Sequence, residues 1–339
     1  MTTSDGSSFS EAPVLALDLG ASRIRAAVVL PDGSLAARAD GMTRSSEGPQ
    51  AVLADMIGLL RAVRAAAPAQ IVAALRGVGV CAPGPLDPAA GRLIDTPNFG
   101  PDFRDVEISG PISAALGLPT ALQRDTVVAL LAELGFGAAR GAHDAIYVTV
   151  STGIGGAILA GGRLLAGADG LAGEIGHLTV DLDGPMCGCG GRGHLEALAS
   201  GSGLARAAAD LIASGRAPGL AARAALAGRR LSARDLAEAE DAGDPDAAAL
   251  LGRARRAFAA GMVGIVDVFN PEVIVVGGSL AQGQGERLLA PARAAVAIEA
   301  FRVQAARVRL VPAELGDDVG LVGALGLVGS RLAGDRAGS

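Results

Sequence analysis

The sequence predicts an α/β fold in two domains. Its 339 residues are enough for two separate cores. Short apolar runs of strand length alternate with stretches of helical spacing, the pattern of helices packed on sheets. Two strand–turn–strand units with glycine in the turn, at 18–23 and 151–156, suggest a duplicated α/β plan with a ligand held between the halves, although no residue-for-residue repeat is present.

The elements follow in chain order. Residues 1–12 are polar and Ser-rich and are expected to be disordered. Val14–Leu19 reads as a buried strand, 18–23 as a tight turn and 24–30 as a returning strand. A buried strand that ends in Asp-x-Gly and turns straight back is a candidate phosphate loop. There Gly20 lets backbone approach an anion, Ser22 offers a hydroxyl, and Asp18 could hold magnesium through water. An ordinary hairpin explains the same residues. Residues 50–67 have helical spacing; 78–80 form a strand, followed by the rigid loop Cys81-Ala82-Pro83-Gly84-Pro85-Leu86-Asp87. Asn98, in a second loop, has an amide able to give and accept hydrogen bonds, as a sugar hydroxyl requires, but a turn-forming Asn after Pro is equally ordinary.

A strand at 118–122 and a helix at 126–138 flank Asp125, which is either the helix N-cap or a carboxylate aimed into a cleft. The strand 145–150 leads into Ser151-Thr152-Gly153-Ile154-Gly155-Gly156, a second turn suited to phosphate. It lacks the Gly-Lys-Ser/Thr ending of a Walker loop, and it returns into a strand rather than a helix. Helices are expected at 203–214 and 233–242. A long one should run to about Phe269 with Asp244 as cap and Pro245 at its first position. A strand at 272–276 ends in Gly277-Gly278-Ser279, another follows at 308–311, and 317–320 opens a final helix.

The stretch from Gly173 to Glu196 concentrates the rarest chemistry, since two of three cysteines and two of three histidines fall inside it. Thiolates and imidazoles in close order suit a tetrahedral zinc ion, and His177, Cys187, Cys189 and His194 are the expected ligands. The bland alternative is a glycine-rich surface loop with two incidental thiols.

Composition narrows the class. A net charge of -6 argues against a broad nucleic-acid surface. With two cysteines assigned to metal, Cys81 stands alone, so no disulfide framework is expected and a cytoplasmic setting fits. No signal-peptide pattern opens the chain and no membrane span is expected.

With these motifs assembled, the chain resembles the ROK family of bacterial sugar kinases and regulators over roughly 14–330. The pieces are Asp18-Leu19-Gly20, Pro83-Gly84, Pro97-Asn98-Phe99, Asp125, Ser151 to Gly156, Gly173-Glu174-Ile175-Gly176-His177, Cys187 to Glu196 and Gly277-Gly278. The resemblance implies an actin-like, ribonuclease-H-like fold with two domains around a central cleft. The small domain would hold 13–123 plus 312–335, and the large domain 124–311 with a zinc-binding loop at 177–196. It implies ATP as phosphate donor, its phosphates between the turns at Asp18, Gly20, Ser22, Arg23 and at Ser151, Thr152, Gly153, Gly155, and its adenosine near Gly277 and Gly278. It implies a hexose held by Gly84, Asn98, Asp125, Glu174, His177 and Glu196. Asp125 would be the catalytic base, magnesium would bridge the phosphates, zinc would be structural, and the assembly would be a homodimer or homotetramer.

The departures from the family pattern bear on substrate. Ala21 and Ser22 replace a glycine and a threonine, and His194 replaces a third cysteine, which suits zinc equally well. Arg124 stands where the family commonly has a sugar-binding Asn. Its side chain turns away to a nearby carboxylate, or alters sugar choice toward an amino, N-acetyl or otherwise modified hexose, or weakens Asp125 as a base and leaves a sugar binder. A transcriptional regulator of the same family would need a DNA-binding segment ahead of the first strand, and the ~13 residues there are too few for a folded domain. Donors other than ATP, such as polyphosphate, stay open.

Overall fold

A computed structural model of the chain describes residues 9–96 and 99–337. The strands are β1 (Val14–Leu19), β2 (Arg23–Val29), β3 (Leu35–Met42), β4 (Val78–Ala82), β5 (Leu86–Asp87), β6 (Arg92–Asp95), β7 (Arg104–Glu107), β8 (Thr120–Arg124), β9 (Ala145–Val150), β10 (Ile154–Ala160), β11 (Arg163–Leu164), β12 (Val273–Gly277) and β13 (Arg309–Pro312). The chain divides into two compact units. One takes the chain up to His143, Gly161–Ala172 and the chain from Glu314 onward. The other takes Asp144–Ala160 and Gly173–Ala313.

The first unit is built on a sheet of order β3-β2-β1-β4-β8. β1 and β2 form an antiparallel hairpin, while β4 and β8 run parallel to β1. The apolar runs of β1 and β4 are buried along their length, as strands covered on both faces require. One face carries Leu15, Leu17, Val78 and Val80 into a core with Met56 and Leu60 of the helix Pro49–Ala66. The other face meets the C-terminal helices through Leu321, Ala324, Leu325 and Val328. Here the wealth of Ala and Gly has a packing reason: a Cβ on Gly79 would stand 2.6 Å from that of Ala324, so sheet and helix approach more closely than larger residues permit. A small antiparallel sheet, β5-β6-β7, also belongs to this unit.

In the second unit the order β10-β9-β12-β13 repeats the plan. β9 and β10 form an antiparallel hairpin, and β12 and β13 run parallel to β9. The two hairpin turns therefore stand at corresponding ends of corresponding strands, as the duplicated plan requires. The core gathers Ile146, Val148, Ile274 and Val276 with Phe258, Met262 and Ile265 of the helix Pro245–Phe269. Asp244 caps that helix, accepting from the Asp246 and Ala247 amides at 3.0 Å, with Pro245 at the first position.

Two sequence expectations differ from what is seen. The expected domain boundary at 123/124 would assign the helix Asp125–Phe136 to the second unit, whereas that helix packs against the C-terminal helices and belongs to the first. The approach is so close that a Cβ on Gly323 would lie 2.1 Å from the Val128 carbonyl oxygen. Of the segment 1–12 expected to be disordered, residues 9–12 are described and packed. Phe9 meets Phe136 edge-on at 5.7 Å, and the Ser10 amide donates to the Leu325 carbonyl at 3.1 Å. Residues 1–8 of that expectation lie outside the described residues.

Candidate active site

In the first unit the parallel strands β1, β4 and β8 deliver Asp18, Cys81 and Arg124 toward one edge of the sheet. Asp125 follows at once as the first residue of its helix. The N-cap position belongs to Arg124, which makes no capping bond with its side chain. Asp125 is therefore not the N-cap; its Oδ1 accepts from the adjacent Thr126 amide at 2.7 Å. Cys81 is within electrostatic reach of both carboxylates. Burial, then the charges of Asp18 and Asp125, push its thiol well above the usual range. Both carboxylates thus bear on one spot at the ends of β1 and β4. Asp18 Oδ2 also accepts from Arg25 Nη2 at 2.5 Å, and Gly320 leaves room for it, since a Cβ there would meet the carboxylate at 2.9 Å.

The first turn is held from the side. The Gly20 amide donates to the Arg23 carbonyl at 2.9 Å, and Thr43 Oγ1 donates to the Gly20 carbonyl at 2.7 Å. Ser22 and Arg23 are exposed, with Arg23 3.6 Å from Asp40. Gly84 is exposed as well and lies against the Arg124 side chain. Arg124 is buried. It is 5% exposed, and its Nη2 donates to the Ala172 carbonyl at 2.5 Å. Asn98 lies outside the described residues.

In the second unit the turn Ser151–Gly153 closes with the Ser151 amide donating to the Gly153 carbonyl at 2.9 Å. Ser151 Oγ and Ser279 Oγ are 2.9 Å apart, joining this turn to the one after β12. Gly278 has φ +95°, and a Cβ there would stand 2.5 Å from the Val150 carbonyl oxygen, so only glycine allows the two turns to meet. Beside them opens a cavity of about 710 Å³, lined among others by Ser151, Thr152, Ser202, Arg234, Ser279 and Gln284. Arg234, Ser202 and Gln284 were not anticipated from sequence. They sit on helices whose polar residues look like ordinary solvent-facing positions.

The loop 177–196 also lies in the second unit. One ligand atom from each of His177, Cys187, Cys189 and His194 lies within 4.8 Å of the others. Cys187 Sγ is 3.8 Å from His177 Nδ1, and Cys189 Sγ is 3.2 Å from His194 Nδ1. Ligand atoms around tetrahedral zinc stand roughly 3.3–3.8 Å apart, given bonds of about 2.0–2.3 Å. The donor set and its spacing therefore fit a four-ligand ion after small side-chain adjustments. Burial pushes the Cys187 thiol up; a bound cation would act the other way by holding the thiolate.

His177 faces two ways. Its Nδ1 points to Cys187, and its Nε2 lies 3.9 Å from Glu174 Oε2. Glu196 joins the same group: Oε2 accepts from the Ile154 amide at 2.9 Å, and Oε1 lies 3.9 Å from Cys187 Sγ. The structure thus brings Glu174, His177 and Glu196 together with the cluster and the turn at 151–154. Gly155 follows within β10 itself.

Fold and site define a class: a duplicated α/β protein with two glycine-bearing turns, carboxylates at a sheet edge and a Cys/His knot. The chain belongs to the ROK family, whose family model matches residues 14–331. It is 30% identical over 321 residues to the glucokinase of Thermotoga maritima, covering 95% of this chain and 98% of that protein. It is 32% identical to an Escherichia coli N-acetylmannosamine kinase, covering 91% and 96%. Among solved structures, the ROK hexokinase of Thermus thermophilus superposes with a TM-score of 0.76 at 33% identity, covering 95% of this chain and 99% of that one. The fold is the actin-like ATPase fold of these kinases.

Proposed function

We propose that this chain is an ATP-dependent, glucokinase-like hexose kinase that moves the γ-phosphoryl group of ATP to a sugar hydroxyl, the 6-OH in our reading. One observation carries it: Asp125 opens its helix at the sheet edge where Asp18 also stands, in the unit that holds the first phosphate-type turn. Relatives at about 30% identity named glucokinase support the reading. So does a ROK glucokinase from Streptomyces griseus described in complex with glucose and AMPPNP, 28% identical over 93% of this chain with a TM-score of 0.72.

In this reading Asp125 accepts a hydrogen bond from the attacking hydroxyl and orients it. As the oxygen–phosphorus bond forms and the bond to the ADP oxygen breaks, Asp125 takes the proton late. The loose transition state makes positioning dominant over proton removal. Magnesium bound with the nucleotide would neutralise phosphate charge. Asp18, which already carries the Arg25 guanidinium, suits contact with it through water better than direct ligation. Ser151, Thr152, Gly153 and Gly155, with Gly277 and Gly278, would serve the nucleotide. Glu174, His177 and Glu196 would accept and donate to sugar hydroxyls, together with Gly84 and Asn98. Zinc on His177, Cys187, Cys189 and His194 would be structural, since four protein ligands leave no open position. His177 would use Nδ1 for the ion and Nε2 for the sugar. A cytoplasmic homodimer or homotetramer completes the reading; among the described residues no helix is long and apolar enough to cross a membrane.

A sugar panel assayed for ADP release, with ATP and polyphosphate as donors, tests it. Turnover on glucose with ATP is expected. Preference for N-acetylmannosamine would move the substrate toward the second named relative. Calorimetric sugar binding without turnover on any hexose would leave a binding protein and overturn the kinase.

A further inference from the structure

Gln284 ends the helix Ser279–Gln284, lines the 710 Å³ cavity and is 8% exposed. Its Oε1 accepts two hydrogen bonds from Arg255, from Nε at 3.1 Å and from Nη2 at 2.6 Å. Arg255 is itself fixed, donating from Nη1 to Glu240 Oε1 at 2.8 Å and from Nη2 to Glu240 Oε2 at 2.6 Å. A guanidinium has donors only, so it dictates which end of the carboxamide it meets. The oxygen faces Arg255, and the NH2 group is left for the cavity; among the described residues no acceptor pairs with it. The side chain is held almost fully buried while its NH2 group stays accessible from the cavity, so it offers a fixed donor to a ligand acceptor there.

Position narrows the acceptor. Ser279, which meets Ser151 at the phosphate-type turn, starts the helix that Gln284 ends. Five residues of helix put Gln284 roughly 7 Å further on, a ribose away from the phosphates. We infer that Gln284 is a specificity-determining residue for the phosphate donor: its Nε2 donates to a ring nitrogen of the adenine. Arg255 and Glu240 are positioning residues that hold the amide in that orientation. This rests on the nucleotide occupying the cavity, as in the kinase reading above.

The test uses the whole enzyme with Gln284→Glu and Gln284→Ala. The glutamate keeps an acceptor for Arg255 but removes the donor, so the melting temperature without nucleotide should hold. The KM for ATP should rise about tenfold in both variants, the effect of losing one hydrogen bond. The kcat and the KM for glucose should stay within about twofold. ATP analogues in which a single base nitrogen is replaced by CH locate the contact. One of them should lose about tenfold on the wild type and nothing further on Gln284→Ala. A glutamate variant that melts and uses ATP as the wild type does would show a merely structural glutamine and overturn the inference, and it decides the question even if the alanine variant does not fold. A wild type that neither turns over nor binds ATP would instead sink the kinase reading, and this inference with it.

Discussion

Glu196 Oε2 accepts a hydrogen bond from the Ile154 amide at 2.9 Å, so the segment carrying the Cys/His cluster is fastened to the turn that follows β9. Whatever fixes the cluster therefore also fixes the carboxylate and the turn. The cluster itself offers two thiols and two imidazoles with ligand atoms within 4.8 Å of one another, a donor set that suits zinc.

One zinc per chain is accordingly expected by elemental analysis. Cys187→Ser or Cys189→Ser should lose the metal, raise the glucose KM at least about tenfold and lower the melting temperature, since binding energy at a structural zinc is folding energy. Retention of full metal by both variants would remove these residues as ligands.

Asp125→Ala should cut kcat by roughly 100- to 10,000-fold, the range for loss of a positioned general base. Glucose binding by calorimetry should weaken far less, because Glu174, His177 and Glu196 would still be present to hold the sugar. An equal loss in kcat and in sugar affinity would make Asp125 a binding residue only.

Much of this was legible in the sequence, and the physical reasons are specific. β1, β9 and the capped helix Pro245–Phe269 are where local signals agree: apolar runs bounded by turns, or an Asp-Pro start ahead of helical spacing. The helix Glu286–Glu299 went unread because Pro291 sits inside it. β3 went unread because its burial alternates only weakly, and β5, β6 and β7 because they are too short to show a period. At the site, residue types pointed to the Cys/His group that the structure brings together, whereas Gln284 and Arg255 acquire meaning only when residues 29 positions apart are brought together. One signal available in the sequence was Glu133, a carboxylate within the apolar run Val127–Leu134 of the helix Asp125–Phe136.

Arg124 makes structural contacts. Its guanidinium reaches the Ala172 carbonyl, and its stem lies against Gly84. The wild type should therefore turn over a hexose. Arg124→Asn should lower the melting temperature by several degrees, because the shorter side chain leaves a gap and a carbonyl without its donor. A large gain of activity in that variant, with stability unchanged, would show that the cation had been suppressing Asp125.

Asp235 is held well below the usual carboxylate range, first by its bonds with Arg229 and then by those with Ser232, where it completes a capping box on the helix Ala233–Asp241. A carboxyl depressed in the folded state stabilises above its ordinary value and loses that contribution as pH falls. Asp235→Asn should then cost about 1 kcal/mol at pH 7. The cost should shrink as pH drops below the ordinary value of 3.8. A cost that is the same at pH 7 and pH 3 would place the effect elsewhere.

Glu133 is fully buried, and its carboxylate gathers three backbone amides: Ala138 at 2.7 Å, Glu314 at 3.0 Å and Leu315 at 3.2 Å. Ala138 follows the end of its own helix, while Glu314 and Leu315 are where the chain re-enters the first unit. Gly137 is needed beside it, since a Cβ there would fall 2.0 Å from Glu133 Oε2. Glu133→Ala leaves these amides without their acceptor, a loss of about 3 kcal/mol, or roughly 6 °C or more in melting temperature for a chain of this size. Glu133→Gln keeps one acceptor oxygen and should lose less. Because the role is to hold backbone rather than to touch substrate, kcat measured well below the melting temperature should change little in either variant. An alanine variant melting within about 1 °C of wild type would show that these three bonds do not hold the re-entry point.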